Sequence, residues 1–192
     1  MKPASGSSKL NTLFGIPYKS DMALNPKWEE ENIVYIDLPF EVRLDWATET
    51  RVKRIRVHKS VAKAFEQALN NVWNKARIKV KEEYGFKWQA LGFATQAEAT
   101  AFYDSKTRAY LRLHGLDRFG GAYNYRKMRG SSKLSFHSYG IAIDWYASKN
   151  PMGSKTTTFP DWFIACWKSA GFAWGGDWNK PDPMHFERTK PC

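Results

Sequence analysis

The chain has 192 residues, of which 43% are hydrophobic, a length and composition that suit one domain with a sizeable core. Its formal net charge of +11 and pI near 9.6 indicate an acidic partner, such as nucleic acid, a membrane surface or an anionic cell wall. No apolar run approaches the roughly 18 residues of a membrane span, and two cysteines exclude a disulfide framework.

The first 30 residues carry no motif. Met1 to Ser8 is polar and rich in small residues, without the apolar core of a signal peptide. We therefore expect synthesis in the cytoplasm. We also expect residues 1–30 to form a partly mobile arm ahead of a single domain over 31–192. No internal repeat or long linker divides that domain, and nothing in it demands more than a monomer.

Two strand-like segments open the domain, at 33–44 and 51–57, with Pro39 interrupting the first. A helix is predicted next, capped by Ser60 and ended by Gly85, because apolar residues recur at spacings of three and four. This stripe comprises Val61, Phe65, Leu69, Val72 and Trp73.

Further helices are predicted from Gln96 to Tyr103 and from Pro160 to Ser169. Short strands are predicted from Ile141 to Tyr146 and from Met184 to Arg188. The expected fold class is α+β, with helices covering a small antiparallel sheet.

These last two strands bring together residues that could hold a metal. Alternation places Asp144 on one face of its strand and Ile143 on the other, and places His185 with Glu187 opposite Phe186. A catalytic zinc needs three protein ligands of nitrogen or carboxylate type and one open position. His137, Asp144 and His185 supply that set.

A carboxylate remains beside this set as a possible base. Asp182 lies in a loop between Pro181 and Pro183, and a base next to zinc favours hydrolysis of an amide. Asp177 competes for this role, whereas Glu187 more naturally orients a ligand.

The pattern Ser-x-His-x-x-Gly-x-Ala-x-Asp, followed by Trp-Gly-Gly and Asp-x-Met-His-Phe-Glu, closely resembles the zinc peptidases grouped with D-alanyl-D-alanine carboxypeptidases and L-alanyl-D-glutamate endopeptidases. These enzymes cut peptidoglycan stem peptides. The likeness is clear from about Gly121 to Arg188 and weaker over 54–59. It implies a hedgehog/DD-peptidase-like fold.

The resemblance implies zinc ligands at His137, Asp144 and His185 and a general base at Asp182. Aspartate at the base position looks more like the L-alanyl-D-glutamate endopeptidases, many of them phage endolysins. Such lysins reach the cell wall after release from the host cytoplasm.

The family also places an arginine in a strand upstream of the first ligand, where it steadies the scissile carbonyl as negative charge develops. Arg126 looks like that residue, with Arg129 as the competitor in a predicted loop.

Other residues receive lesser roles. Ser135 lacks the glycines of a nucleophile elbow and is expected to make a supporting hydrogen bond. Trp174 and Trp178 are candidates for lining a substrate groove. His58 and His114 lack ligand-spaced partners and receive no role.

Three alternatives stay open at this point. A D-alanyl-D-alanine carboxypeptidase would share the metal site. The basic runs around 51–56 and 75–81 could be solvated faces, or could attract anionic cell-envelope polymers, or could belong to a metal-dependent nuclease, although no base-reading motif is present. A cell-wall-binding module without turnover is the third.

Overall fold

A computed structural model describes the backbone of residues 5–192 and the side chains of residues 8–192. The helices are α1 (Ser5–Phe14), α2 (Pro26–Asn32), α3 (Ala62–Tyr84), α4 (Gln96–Leu113) and α5 (Asp161–Ser169). The strands are β1 (Ile33–Leu44), β2 (Arg51–His58), β3 (Arg118–Gly121), β4 (Ala142–Trp145), β5 (Ala173–Trp174) and β6 (His185–Glu187). The predicted α+β class is confirmed.

The six strands form one sheet in the order β2-β1-β3-β4-β6-β5. The expected antiparallel sheet is wrong in one pairing, because β1 and β3 run parallel while the other neighbours are antiparallel. Between β1 and β3 the chain makes a hairpin and two long helices, and a crossover of that length allows parallel pairing. Within residues 5–192, no helix has the length and apolar character needed to cross a bilayer.

The main core lies between one face of the sheet and the helices α3 and α5. Ile143 of β4 and Phe186 of β6 are fully buried there, and Trp167 of α5 packs its ring 5.2 Å from that of Phe186. Cys166 is a free thiol beside this core, and Cys192 is free and exposed. The opposite face of the sheet, called the open face below, carries the alternate residues of β4 and β6.

Three local predictions need adjustment. Ser60 does not cap the long helix: the His58 ring accepts the Ser60 N–H and caps a short 3₁₀ turn before α3. Strand β1 continues through Pro39, but its pairing with β2 shifts between Asp37 and Val42, because proline has no N–H to donate.

Helix α4 begins at Gln96 as predicted but runs ten residues beyond Tyr103, to Leu113. The capping box of Thr95 and Glu98 explains its start. Its buried stripe continues through Thr107, whose hydroxyl bonds the Tyr103 carbonyl at 2.6 Å. Because Thr107 is polar, the hydrophobic pattern of the sequence did not indicate that the helix continues past Tyr103.

The N-terminal segment packs against the domain. Phe14, at the end of α1, is buried, and its carbonyl accepts hydrogen bonds from Trp28 Nε1 at 2.9 Å and His58 Nε2 at 3.1 Å. The Tyr139 hydroxyl donates to Asn11 Oδ1 at 2.7 Å. These bonds join the segment to β2 and to the turn at Phe136–Tyr139; the domain boundary at residue 30 stays a prediction.

A further bond connects this segment to the loop after β3. The Tyr125 hydroxyl donates to the Met22 carbonyl at 2.6 Å, and Met22 holds a left-handed backbone with φ of 65°. The loop that carries Tyr125 also carries Arg126, so the N-terminal segment contacts two of the elements that the sequence predicts to form the site.

Candidate metal centre

Three elements bring His137, Asp144 and His185 together on the open face. Asp144 and His185 are direct partners in the antiparallel pairing of β4 and β6, and His137 lies in the 3₁₀ turn at Phe136–Tyr139. One ligand atom from each residue lies within 4.8 Å of the others. Both histidines are buried, and Asp144 is nearly so, which favours a metal over solvated charges.

His137 is held in the tautomer that a metal requires. Its Nδ1 lies 2.6 Å from the Ala122 carbonyl, which can only accept, so Nδ1 carries the proton and Nε2 keeps a lone pair. Nε2 lies 3.2 Å from Asp144 Oδ2 but is not aligned for a hydrogen bond and has no other partner. A buried nitrogen with a free lone pair, aimed at the other two ligands, fits a metal ion.

His185 bridges two carboxylates. Its Nδ1 lies 2.8 Å from Asp144 Oδ1 and its Nε2 lies 3.3 Å from Glu187 Oε2. Burial alone would lower the pKa of His185, but these two hydrogen bonds and charges raise it to about 9. Glu187 thus holds the ring from behind, in the orienting position predicted for it.

Asp144 stays ionised in this environment. Burial opposes its charge, yet the adjoining rings of His137 and His185 hold the pKa of Asp144 well below its usual range. Two imidazole nitrogens and one carboxylate therefore converge, with Nε2 of His137 unpartnered. This donor set fits zinc with one position left for water or substrate.

Asp182 lies beside the group on the loop between β5 and β6. Its Oδ1 is buried without a hydrogen-bond partner in the described part of the chain. Burial raises the pKa of Asp182; the charges of His185 and Arg126 oppose the rise, and that of Asp144 adds to it. A carboxylate whose proton affinity is raised in this way is suited to accept a proton.

The glycine pair of the Trp-Gly-Gly motif explains how Asp182 is held. The Gly175 carbonyl accepts the Asp182 N–H at 2.9 Å and the Trp178 N–H at 3.2 Å. A methyl group at Gly175 would lie 2.4 Å from the Asp182 carbonyl oxygen, so only glycine permits this approach. The Asp182 carbonyl in turn accepts the His185 N–H at 3.0 Å.

Arg126 is exposed and lies in an irregular segment, so the expectation that it belongs to a strand is wrong. Its backbone is fixed by Ser138, whose Oγ accepts the Arg126 N–H at 2.8 Å and donates to the Arg126 carbonyl at 2.6 Å. The Ser135 N–H also donates to that carbonyl, at 3.0 Å. Hydrogen bonds from the Ser138 side chain and the Ser135 backbone thus hold Arg126 without strand pairing.

The remaining predicted residues divide between the site and its surroundings. Ser135 Oγ accepts the His137 N–H at 3.3 Å, which is a supporting bond. The Trp178 ring is 38% exposed and lies 5.5 Å from the ring of His185. Trp174 is turned away, with Nε1 donating to the Pro183 carbonyl at 2.8 Å.

The competing residues lie elsewhere. Asp177 makes an ion pair with Lys168 at 2.7 Å, and Arg129 lies in an exposed turn. His58 is buried under Phe14 and Trp28, where burial lowers its pKa. His114 is exposed, and its ring lies tilted against that of Tyr110 at 4.4 Å between centroids.

Over residues 129–188 the chain matches the family model of D-alanyl-D-alanine carboxypeptidase. This range contains His137, Asp144, Asp182 and His185, and Arg126 lies just before it. The match points to a metal-dependent peptidase that acts on the cell wall, and the His/Asp/His group is compatible with the metal. No curated protein and no solved structure matched the chain.

Sequence reasoning missed Ser138 and the Ala122 carbonyl. Ser138 is fully buried and holds Arg126, yet it stands beside His137 in the sequence as an unremarkable serine. The Ala122 carbonyl, which fixes the His137 tautomer, leaves no trace in residue type. Only the fold brings these groups together.

Proposed function

We propose that this protein is a zinc-dependent peptidoglycan peptidase that hydrolyses an amide bond of the stem peptide, with L-alanyl-D-glutamate as the favoured bond. The observation that carries the proposal is the convergence of His137, Asp144 and His185, with the free lone pair of His137, beside the unpartnered oxygen of Asp182. The family match over residues 129–188 supports the peptidase class.

In this proposal His137 Nε2, Asp144 and His185 Nδ1 would hold the zinc. When bound, zinc supplies Lewis acidity, which polarises the scissile carbonyl and makes water a stronger acid. His185 must then release its Nδ1 proton while its Nε2–H remains bonded to Glu187.

The protein's own groups perform the proton transfers. Asp182 accepts a proton from the attacking water at its buried Oδ1 and then delivers it to the leaving amine nitrogen. The Arg126 guanidinium faces the negative charge that develops on the carbonyl oxygen. Trp178, next to His185, borders the space where the peptide lies.

A second candidate, the D-alanyl-D-alanine carboxypeptidase, is favoured by the description of the matching family. The two activities share the site and differ in the bond cut. The endopeptidase is preferred because Asp182 stands at the base position, as in the endopeptidases that the motif resembles. With it we propose an endolysin role for the protein, made in the host cytoplasm and acting as a monomer on the wall after release.

The test is mass spectrometry of fragments from purified peptidoglycan, incubated with the zinc-loaded protein and with its Asp182→Ala variant. New N-terminal D-glutamate, formed by the wild type alone, would support the endopeptidase. Loss of terminal D-alanine alone would establish the carboxypeptidase. Absence of fragments would contradict the proposal in favour of a binding module, and cleavage of plasmid DNA would favour a nuclease.

A further inference from the structure

A row of alternating guanidinium and aromatic groups lies on the open face, beside the proposed site. Arg54 Cζ lies 4.5 Å from the ring centre of Tyr35, Arg56 Cζ lies 6.0 Å from the same ring, and Arg56 Cζ lies 4.8 Å from the ring centre of Tyr123. We call these four residues the Arg–Tyr row. Arg54 and Arg56 alternate along β2, so both project from the same face of the sheet.

The two arginines differ in how their charge is used. Arg56 is already paired with Glu29. Arg54 is exposed and makes no ion pair among the side chains of residues 8–192, although Asp37 stands opposite it in the strand pairing. Tyr35 is 59% exposed, yet the arginines on either side hold its ring. The outer end of the row therefore offers an unpaired cation beside a fixed aromatic surface.

The inner end of the row connects to the metal-binding group. The Tyr123 N–H donates to the Arg56 carbonyl at 3.3 Å, and the preceding residue, Ala122, accepts the hydrogen bond of His137. Tyr123 is thus one residue from the group that fixes a proposed ligand.

The strand beside the metal-binding group leaves room for a ligand. Gly121 of β3 pairs with Asp144, and a methyl group built on Gly121 would meet no atom within 4 Å. The space over this part of the open face is thus free at Gly121, whereas Gly120 packs closely against Asp144. A peptide can therefore approach Asp144 from the side on which the Arg–Tyr row lies.

We propose that the Arg–Tyr row binds a free carboxylate of the peptide substrate, with Arg54 supplying the charge and Tyr35 the supporting surface. The inference rests on the proposed function. A guanidinium pairs strongly with a carboxylate, and stem peptides carry free carboxylates.

The experiment compares zinc-loaded full-length wild type with Arg54→Gln on a set of muropeptides. One muropeptide has all its carboxylates free, and each of the others has one carboxylate converted to the amide. We expect Arg54→Gln to lower kcat/KM on the free muropeptide by about tenfold, mainly through KM. On the muropeptide amidated at the bound position, the wild type should show that loss already and the variant no further loss.

Lys53→Gln is the matched control, since it removes one positive charge from the same strand. Lys53 is 81% exposed and alternation places it on the other side of β2. Its kinetics should equal those of the wild type on every muropeptide.

Three outcomes would overturn the inference. Unchanged kinetics of Arg54→Gln would show that the Arg–Tyr row does not bind the substrate. Equal losses for both variants on all muropeptides would show a general attraction between opposite charges. A wild type that cuts no muropeptide would refute the proposed function itself, and the inference with it. In the other two outcomes the wild type is active, so the two kinds of failure can be told apart.

Discussion

The candidate metal ligands and the two residues proposed to act on the substrate, Asp182 and Arg126, are held by different kinds of structure. Asp144 and His185 are set by strand register, and each ligand side chain is bonded to a neighbour that fixes its orientation. Asp182 and Arg126 lie in irregular segments, where a few hydrogen bonds, chiefly to Gly175 and Ser138, position their backbones. Removing a ligand should therefore damage metal binding and fold together, whereas changing a reacting residue should damage the chemistry alone.

The largest effect is expected at a ligand. His185→Ala should abolish activity and zinc binding, because two ligands rarely retain the metal and two buried carboxylates lose their partner. Zinc content and the rise in melting temperature on adding zinc measure this. His114→Ala, at an exposed histidine, should behave as wild type. A zinc-dependent rise that survived in His185→Ala would contradict the ligand assignment.

Substitution of the base should separate chemistry from metal binding. Asp182→Asn should lower kcat by about 100- to 10,000-fold, since general-base catalysis contributes that much. Zinc content should be unchanged, because Asp182 is not in the ligand group. Asp177→Asn, at the neighbouring surface ion pair, is the control and should retain activity. Activity of Asp182→Asn near the wild-type level would refute its role.

A smaller effect should follow from loosening Arg126 without removing it. Ser138→Ala deletes both bonds to the Arg126 backbone and leaves the partly buried Arg126 N–H unpaired, at about 1–3 kcal/mol of stability. A displaced guanidinium should lower kcat/KM about tenfold. Ser132→Ala, at an exposed serine of the same loop, should change neither. Full activity of Ser138→Ala would show that Arg126 needs no such restraint.

The smallest effect concerns pH and the metal-free protein. The folded-state pKa of His185 is raised to about 9 from an ordinary 6.5, so its bridging bonds stabilise fully below pH 6.5 and are lost as pH rises through about 9. The melting temperature of the metal-free protein should fall over that window. With zinc bound the Nδ1 proton is gone, and the fall should disappear. Equal pH profiles for the two forms would contradict this account.

The strands of the site could be predicted because alternation is a local property. The pattern around Asp144 and His185 identified which side chains share a face, and the structure has them paired in register. The helix at Asp161–Ser169 and the end of α3 before Gly85 also follow from local signals. That His137 joins Asp144 and His185 was predicted from the ligands that zinc requires and from the family resemblance.

The rest depended on contacts between distant parts of the chain. The parallel pairing of β1 with β3 and the clamp of Ser138 on Arg126 join segments whose separation in the sequence hides their proximity. The bond from His137 to the Ala122 carbonyl is of the same kind. No residue type signals such bonds, because any residue supplies a backbone carbonyl.

The hydrogen bonds of the N-terminal segment also bear on where this protein could be cut or joined to another. A chain trimmed to begin at residue 31 would lose the acceptors of two phenol groups, Tyr139 and Tyr125, which neighbour the turn of His137 and the backbone of Arg126. It would also uncover His58. In a fusion protein, residues 10–30 should therefore be kept together with residues 31–192 and should not be replaced by a linker.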